Sequence, residues 1–228
     1  MASAAPKLLT LVFVHRPGAV LLGMKKRGFG QGKWNGFGGK REGSESMARC
    51  AQRELQEETS LSAPLAAFRP RGFLGFHMET DGMADAATGA VSKVLNVFIY
   101  SVDEAATEGA ATESEEMAPK WYEHEQVPYA NMWLDDPIWL PSLLGDDALS
   151  VAASFTFESE GAMRDDWHCW EFPASADFQT FLRTERDLGS VREPTRTGAA
   201  ATAGADAEGR RDGVLELLFP VAGEGGGA

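Results

Sequence analysis

Glu54, Glu57 and Glu58 fall within one five-residue window of the chain. On a helix, residues three and four apart are neighbours on the surface, so this spacing gathers three carboxylates on one face. Like charges held that closely destabilise the helix unless a cation offsets them. A hard cation such as Mg²⁺ takes oxygen ligands of this kind and commonly shares them with substrate phosphates. The plainer alternative is a solvated acidic helix face. Alanine, leucine, glutamine and glutamate dominate the surrounding stretch, and the composition predicts a helix from about Glu45 to Glu58.

The cluster stands in a larger frame. Gly39 is followed by five residues and Glu45, then by seven more and Arg53-Glu54-Leu55, one spacer, Glu57-Glu58 and finally Leu61. This arrangement resembles the Nudix box, a glycine, a glutamate and an R-E-aliphatic-x-E-E core at these separations. One position departs from it. Ser60 stands where the box carries glycine, and a left-handed residue ending the helix there costs serine about 1 kcal/mol. Three further stretches, LLGMKKRGFGQGKWNGFGGK, ESEEMAPKWY and NMWLDDPIWLP, extend the resemblance over roughly Lys7 to Leu188. Together they look like the animal-type MutT branch of the family, hydrolases of oxidised purine nucleoside triphosphates.

The resemblance implies a set of site residues. Metal would be held by the backbone of Gly38 and Gly39 and by the carboxylates of Glu54, Glu57, Glu58 and the distant Glu116. The ion would be Mg²⁺, with Mn²⁺ as a substitute. Glu58 or Glu57 would act as general base, and Arg53 with Glu45 would support the ligands from behind. Purine contacts carried over by motif are Thr10, Lys25, Phe29, Asn35, Phe76, Trp133, Asp135, Asp136 and Trp139. The Asn35 amide both donates and accepts. Asp135 and Asp136 are adjacent acids, and two such groups in a desolvated pocket do not both ionise cheaply. One protonated and one ionised carboxyl would match more than one purine edge.

The reaction so implied converts 8-oxo-dGTP or 2-hydroxy-dATP, and by extension N6-methylated dATP, to the monophosphate and pyrophosphate. An ADP-ribose or dinucleoside polyphosphate pyrophosphatase would keep the box without needing the NMWLDD element. A non-catalytic binding module would have little reason to keep all three glutamates. The insertion from Glu79 to Ser92, and Lys93 in place of an apolar residue, depart from the branch and alter the expected pocket rim.

These groups need elements to position them. Strands are expected at Leu8–Val14 and Ala19–Met24, joined by the turn His15-Arg16-Pro17-Gly18, and at Pro70–Met78 and Lys93–Val102. Glu104–Glu116 is acidic and reads as a loop, followed by a strand over Pro119–Glu125. Pro137–Leu144 has helical spacing with proline in its first turn. Val151–Glu158 and Trp167–Phe172 suggest a hairpin, and Ala174–Leu188 an amphipathic helix. The fold class is α/β, and the resemblance implies a mixed β-sheet sandwiched between α-helices. Residues 1–188 would form this domain. Residues 189–228, rich in glycine and alanine, would form a disordered tail, with Val214–Val221 able to dock.

Bulk properties narrow the class. The net charge of −13 argues against binding a nucleic-acid polymer. Its distribution is uneven: residues 1–41 carry eight Lys and Arg and no acid. Lys25, Lys26, Arg27, Lys33, Lys40 and Arg41 would crowd the approach to the glutamate helix and draw in a polyanionic substrate. Two cysteines are too few for a disulfide framework, so a reducing compartment is expected. That means the cytoplasm, with a nuclear or organellar nucleotide pool as the alternative. The N-terminus reads as strand and turn, and no stretch is long enough to span a membrane. A monomer is expected.

Overall fold

Along the first strand, β1 (Lys7–Arg16), successive side chains enter two different cores. Leu11 and Phe13 join one apolar cluster, Val12 and Val14 the other. A strand buried on both faces belongs inside a sheet covered on both sides. A computed structural model of the chain describes residues 6–79, 92–145, 149–158, 161–173 and 196–197.

Among the described residues the sheet is mixed and has nine strands. β1 is followed by β2 (Ala19–Lys25), β3 (Trp34–Asn35), β4 (Arg69–Glu79), β5 (Ser92–Asp103), β6 (Met117–Glu123), β7 (Leu149–Phe157), β8 (His168–Pro173) and β9 (Arg196–Thr197). Their spatial order is β3-β2-β1-β5-β4-β7-β8-β9, with β6 also paired to β2. β1 runs parallel to β5 and antiparallel to β2, and β4 runs parallel to β7. Helix α1 (Met47–Thr59) covers one face, with Ala51 and Leu55 buried against Val12, Leu21 and Tyr100. Helix α2 (Asp136–Gly145) covers the other, with Trp139, Leu140 and Leu143 in the cluster of Phe13, Leu74 and Phe155.

Most expected elements occur, lengthened by a residue or two. α1 differs at its start. It begins at Met47, because the Ser46 hydroxyl accepts the Arg49 N–H and caps it there, so Glu45 lies outside the helix. Its end matches expectation: Ser60 has φ 65°, and it is the one non-glycine in the left-handed region among the described residues. The strand expected to reach Glu125 stops at Glu123, where a 3-10 turn over His124–Gln126 takes over. The stretch expected to be unstructured contains β9, paired to His168 and Cys169 of β8. The helix expected over Ala174–Leu188, the docking segment Val214–Val221 and most of the Glu79–Ser92 insertion lie outside the described residues. No described helix is long and apolar enough to cross a membrane.

Candidate active site

The segment from Gly36 to Arg41 runs alongside β1 and brings two glycines under the glutamate helix. Thr10 N–H donates to the Gly39 carbonyl at 2.9 Å, and Arg41 N–H to the Leu8 carbonyl at 2.9 Å. A side chain at Gly38 would collide with the Thr10 backbone, and one at Gly39 with the Glu54 carboxylate. At Gly38 the obstacle is backbone, so close approach rather than turn geometry requires glycine there, whereas at Gly39 it is the movable end of a side chain. The Gly38 N–H donates to Glu58 Oε2 at 2.8 Å.

The three box carboxylates have unequal surroundings, contrary to the picture of one shared face. Glu57 is largely exposed, at 58%, while the Glu58 side chain is only 6% exposed. Neighbouring helix positions are turned by about 100° from each other, so Glu54 and Glu58 face inward and Glu57 outward. Arg53 binds this group together. Its guanidinium donates to Glu45 at 2.8 Å, Glu54 at 2.9 Å, Glu57 at 3.1 Å and the Lys40 carbonyl at 3.1 Å. The hydrogen bond from Arg53 holds the Glu45 carboxyl down to about 2. Burial pushes Glu58 up to about 7, against the opposing effects of the Gly38 N–H and Lys25. Burial raises Glu54 as well.

Glu116 arrives from the start of β6. The Lys25 ammonium bridges it to Glu58, at 2.7 Å and 3.3 Å. Arg27 donates to the other Glu116 oxygen at 3.0 Å, and Lys25 with Arg27 holds this carboxyl below its ordinary range. Lys26 pairs with Glu113 at 2.6 Å, and its backbone N–H donates to the Glu116 carbonyl at 2.7 Å.

At the N-terminus of α2 the acids are paired differently. Asp135 and Asp136 are 3% and 2% exposed. The Trp139 indole N–H donates to Asp135 Oδ2 at 3.0 Å, and the Trp133 backbone N–H to Asp136 Oδ2 at 2.8 Å. Both Oδ2 atoms are thereby fixed as acceptors, so a carboxyl proton at this pair belongs on an Oδ1. Burial raises both carboxyls, and for Asp136 the Asp135 charge adds to it. Lys33, half-buried, donates to the Met132 carbonyl at 2.9 Å and lies 5.1 Å from the Trp133 ring centre.

A cavity of about 230 Å³ is lined by Asp135 and Asp136 and by Gly38 and Lys25, the two partners of Glu58. Among the expected purine contacts Thr10, Lys25, Phe29, Asn35, Phe76, Trp133, Asp135, Asp136 and Trp139 all line it, together with Gly38. Their engagements differ. Phe29 is 76% exposed and stacks on Trp133 with centres 4.8 Å apart. Thr10 is buried with its hydroxyl 3.5 Å from Cys50 Sγ, and Asn35 Oδ1 accepts the Gly36 N–H at 2.8 Å. Phe76 stacks on Phe155 at 5.7 Å. Glu54, Glu57, Glu58, Glu116 and Gly39 are not among the lining residues; Glu58 meets the wall through its partners Gly38 and Lys25. Sequence reading missed Leu74, Met78, Leu95, Val97 and Phe157 in the wall. The period-two alternation through 74, 76 and 78 and through 95 and 97 was the available signal. The expected basic cluster is divided: Lys25, Lys26 and Arg27 meet the acids around Glu116, whereas Lys33 meets the turn before Asp135.

The carboxylates suit a divalent metal. Glu58 and Glu116 already share one cation, the Lys25 ammonium, and the Glu54 carboxylate lies directly against Gly39. Among the described residues no three acids close to ligating distance of one point, since Arg53 and Lys25 pair them off.

Comparison with known proteins places this geometry. The NUDIX domain model matches residues 6–143. The chain is 42% identical over 138 residues to the oxidized purine nucleoside triphosphate hydrolase of Danio rerio, covering 60% of this chain and 80% of that protein. It is 44% identical over 138 residues to the Mus musculus protein of the same name, with the same coverage. A MutT protein from Bacillus halodurans shares the fold with a TM-score of 0.58 at 22% identity, over 72% of this chain and 97% of that one. The chain belongs to the Nudix family.

Proposed function

We propose that this Nudix hydrolase cleaves modified purine nucleoside triphosphates, with 8-oxo-dGTP and 2-hydroxy-dATP as substrates, to the monophosphate and pyrophosphate. The relatives named above carry the corresponding activity in their names. The observation that carries the reading is the pair Asp135 and Asp136. Each is buried with its Oδ2 committed to an N–H, in a cavity that also reaches Gly38 and Lys25. Two Oδ1 atoms then present either donor–acceptor pattern to a base, according to where the proton sits. Such a pair has no use in a pocket that reads only a diphosphate.

Nudix hydrolases generally need a divalent metal ion. Here Mg²⁺, or Mn²⁺ in its place, would be held by the Gly38 and Gly39 backbone with Glu54, Glu57, Glu58 and Glu116. The bound ion supplies Lewis-acid stabilisation of the phosphates and lowers the pKa of water. Glu58 is the better general base of the two candidates. It lies inward, beside Gly38 and Lys25 of the cavity wall, whereas Glu57 is exposed and tied to Arg53. Arg53 keeps Glu54 and Glu57 in place, and Lys25 together with Arg27 keeps Glu116 beside the helix.

Residues 1–188 are the catalytic domain in this reading, and 189–228 a dispensable tail. The protein acts as a monomer on the cytoplasmic nucleotide pool, without nucleic-acid polymer or membrane as partner, and removes damaged nucleotides before they enter DNA. A panel of nucleoside triphosphates, ADP-ribose and dinucleoside polyphosphates, assayed with Mg²⁺ for pyrophosphate release, tests it. Preference for modified purine triphosphates is expected. Preference for ADP-ribose or a dinucleoside polyphosphate would overturn it.

A further inference from the structure

Lys33 is separated from the other basic residues of its loop. Lys25, Lys26 and Arg27 are each paired with Glu113, Glu115, Glu116 or Glu58. Lys33 instead bonds a neutral carbonyl, that of Met132, and lines the cavity together with Asp135 and Asp136. The carbonyl it holds begins the turn Met132–Asp136, whose internal bonds run from Trp133 N–H to Asp136 Oδ2 and from Asp136 N–H to the Trp133 carbonyl. The Lys33 ammonium lies 5.1 Å from the centre of the Trp133 ring, which also stacks on Phe29.

We propose that Lys33 is a positioning residue that sets base specificity: it anchors the Met132–Asp136 turn and its charge governs how the two aspartates share protons. The proposal rests on the reading of Asp135 and Asp136 as the base-contacting pair. Several groups face these carboxyls. Trp139 and Trp133 offer N–H donors, which fix the Oδ2 atoms and carry no charge. Tyr129, in the turn before Met132, experiences the Asp136 charge and is pushed up to about 12 mainly by burial, so it stays neutral. Lys25 lines the cavity, but its ammonium is bound to Glu58 and Glu116. Lys33 is the cation whose field favours the ionised form of both aspartates. It thus opposes the burial that favours their protonated form. With Lys33 present, the pair loses its shared proton at lower pH than burial alone would allow. The balance between an edge that needs a donor and an edge that needs an acceptor shifts with it.

Lys33→Met keeps an unbranched stem and removes the charge, while Lys33→Arg keeps both. Two measurements on the full-length chain decide the matter. Carboxyl carbon NMR of the substrate-free protein follows the Asp135 and Asp136 titration directly. In Lys33→Met the titration should move to higher pH by on the order of one unit, the size expected for one partly solvated charge near a buried pair. In Lys33→Arg it should stay near the parent. The kcat/KM ratio of 8-oxo-dGTP to 2-hydroxy-dATP, followed from mildly acidic to alkaline pH, should shift along the pH axis in Lys33→Met by the same amount. The Mg²⁺ dependence should be unchanged in both variants. An unmoved titration in Lys33→Met would overturn the proposal, as would an unmoved ratio profile beneath a uniform loss of efficiency. A shifted titration in a chain that hydrolyses neither nucleotide would leave control of the pair standing and sink the substrate reading instead.

Discussion

The two ends of the site hold acids by opposite means. On α1 and just before β6 the carboxylates of Glu54, Glu57 and Glu116 are answered by cations, Arg53, Lys25 and Arg27. At the start of α2, Asp135 and Asp136 are answered by neutral N–H groups from Trp139 and Trp133. A cation partner favours the charged form, whereas burial beside a neutral donor and a second acid favours the protonated one. Lys25 and Arg27 hold Glu116 below its ordinary range, although burial still raises Glu54. Burial raises both aspartates. Glu58 lies between these regimes, buried like the aspartates yet touched by Lys25. That intermediate position suits a group that must accept a proton and give it up again.

The largest expected effect comes from Glu58→Gln. It preserves shape and the acceptor for the Gly38 N–H, and it removes the charge and the proton acceptor. Turnover should fall by at least about a hundredfold, while nucleotide affinity measured by calorimetry stays close to the parent. Glu57→Gln, at the exposed position, should cost less. Activity of Glu58→Gln within a few-fold of the parent would remove α1 from the chemistry and break the division between the two ends.

Next in size are Asp135→Asn and Asp136→Asn. An amide freezes one donor–acceptor pattern at a position where a carboxyl alternates. Each lost or unpaired hydrogen bond in the pocket should cost about 1–3 kcal/mol, roughly ten- to hundredfold in kcat/KM. The loss should be unequal among purines, with the Mg²⁺ requirement untouched. Equal losses for every nucleotide would mean that the pair is structural and that specificity lies elsewhere in the cavity.

The same substitution has an opposite effect on folding. Burial raises the Asp136 carboxyl above its ordinary range, so the native state binds its proton more tightly than the unfolded chain does. Stability is then lost as pH rises from the unfolded carboxylate range through the folded one. Asp136→Asn removes that penalty and keeps an oxygen for the Trp133 N–H. Thermal melts should show the variant gaining on the parent at about pH 8 and matching it near pH 4, around or below the ordinary carboxylate value. A variant equally stable or less stable at both would show that the pair costs the fold nothing. Function and stability would then not be traded at this end.

How much of this was legible in the sequence differs between the same two ends. The box singled out the α1 carboxylates, and β1 and β2 followed from apolar runs on either side of a turn signal. What sequence could not give was which glutamate faces inward. The inequality of Glu57 and Glu58 depends on a capped start at Ser46 and on Gly38 meeting the helix from the segment that follows β3. β3 and β9, at two residues each, are too short to carry any pattern. The basic residues between 25 and 33 read as one cluster because charge composition has no direction. Only the turn through Gly28, Gly30 and Gly32, all with positive φ, sends Lys33 back toward Met132 while Lys26 and Arg27 face Glu113 to Glu116.

The smallest effect concerns Ser60, which ends the glutamate helix and tests whether that end is positioned by its terminus or by its side-chain partners. Ser60 has φ 65°, and its N–H closes the helix on the Gln56 carbonyl at 2.9 Å. Glycine at this backbone angle relieves about 1 kcal/mol of strain. The serine hydroxyl, however, accepts a hydrogen bond from Thr112 at 2.8 Å in an exposed setting, and losing it costs about 0.5 kcal/mol. Ser60→Gly should therefore stabilise the chain by about 0.5 kcal/mol, the difference between those two effects, measured by chemical denaturation at constant m-value. Thr112→Val should destabilise the parent more than the Ser60→Gly background, where only the contact of its hydroxyl with the Thr59 carbonyl at 3.5 Å remains to be lost, and the difference isolates the bond to Ser60. Turnover and base ranking should match the parent in every combination, because Arg53 and Gly38 hold the carboxylates independently of the helix terminus. A change in turnover with unchanged base ranking would instead place the terminus among the elements that position Glu58, two residues before it.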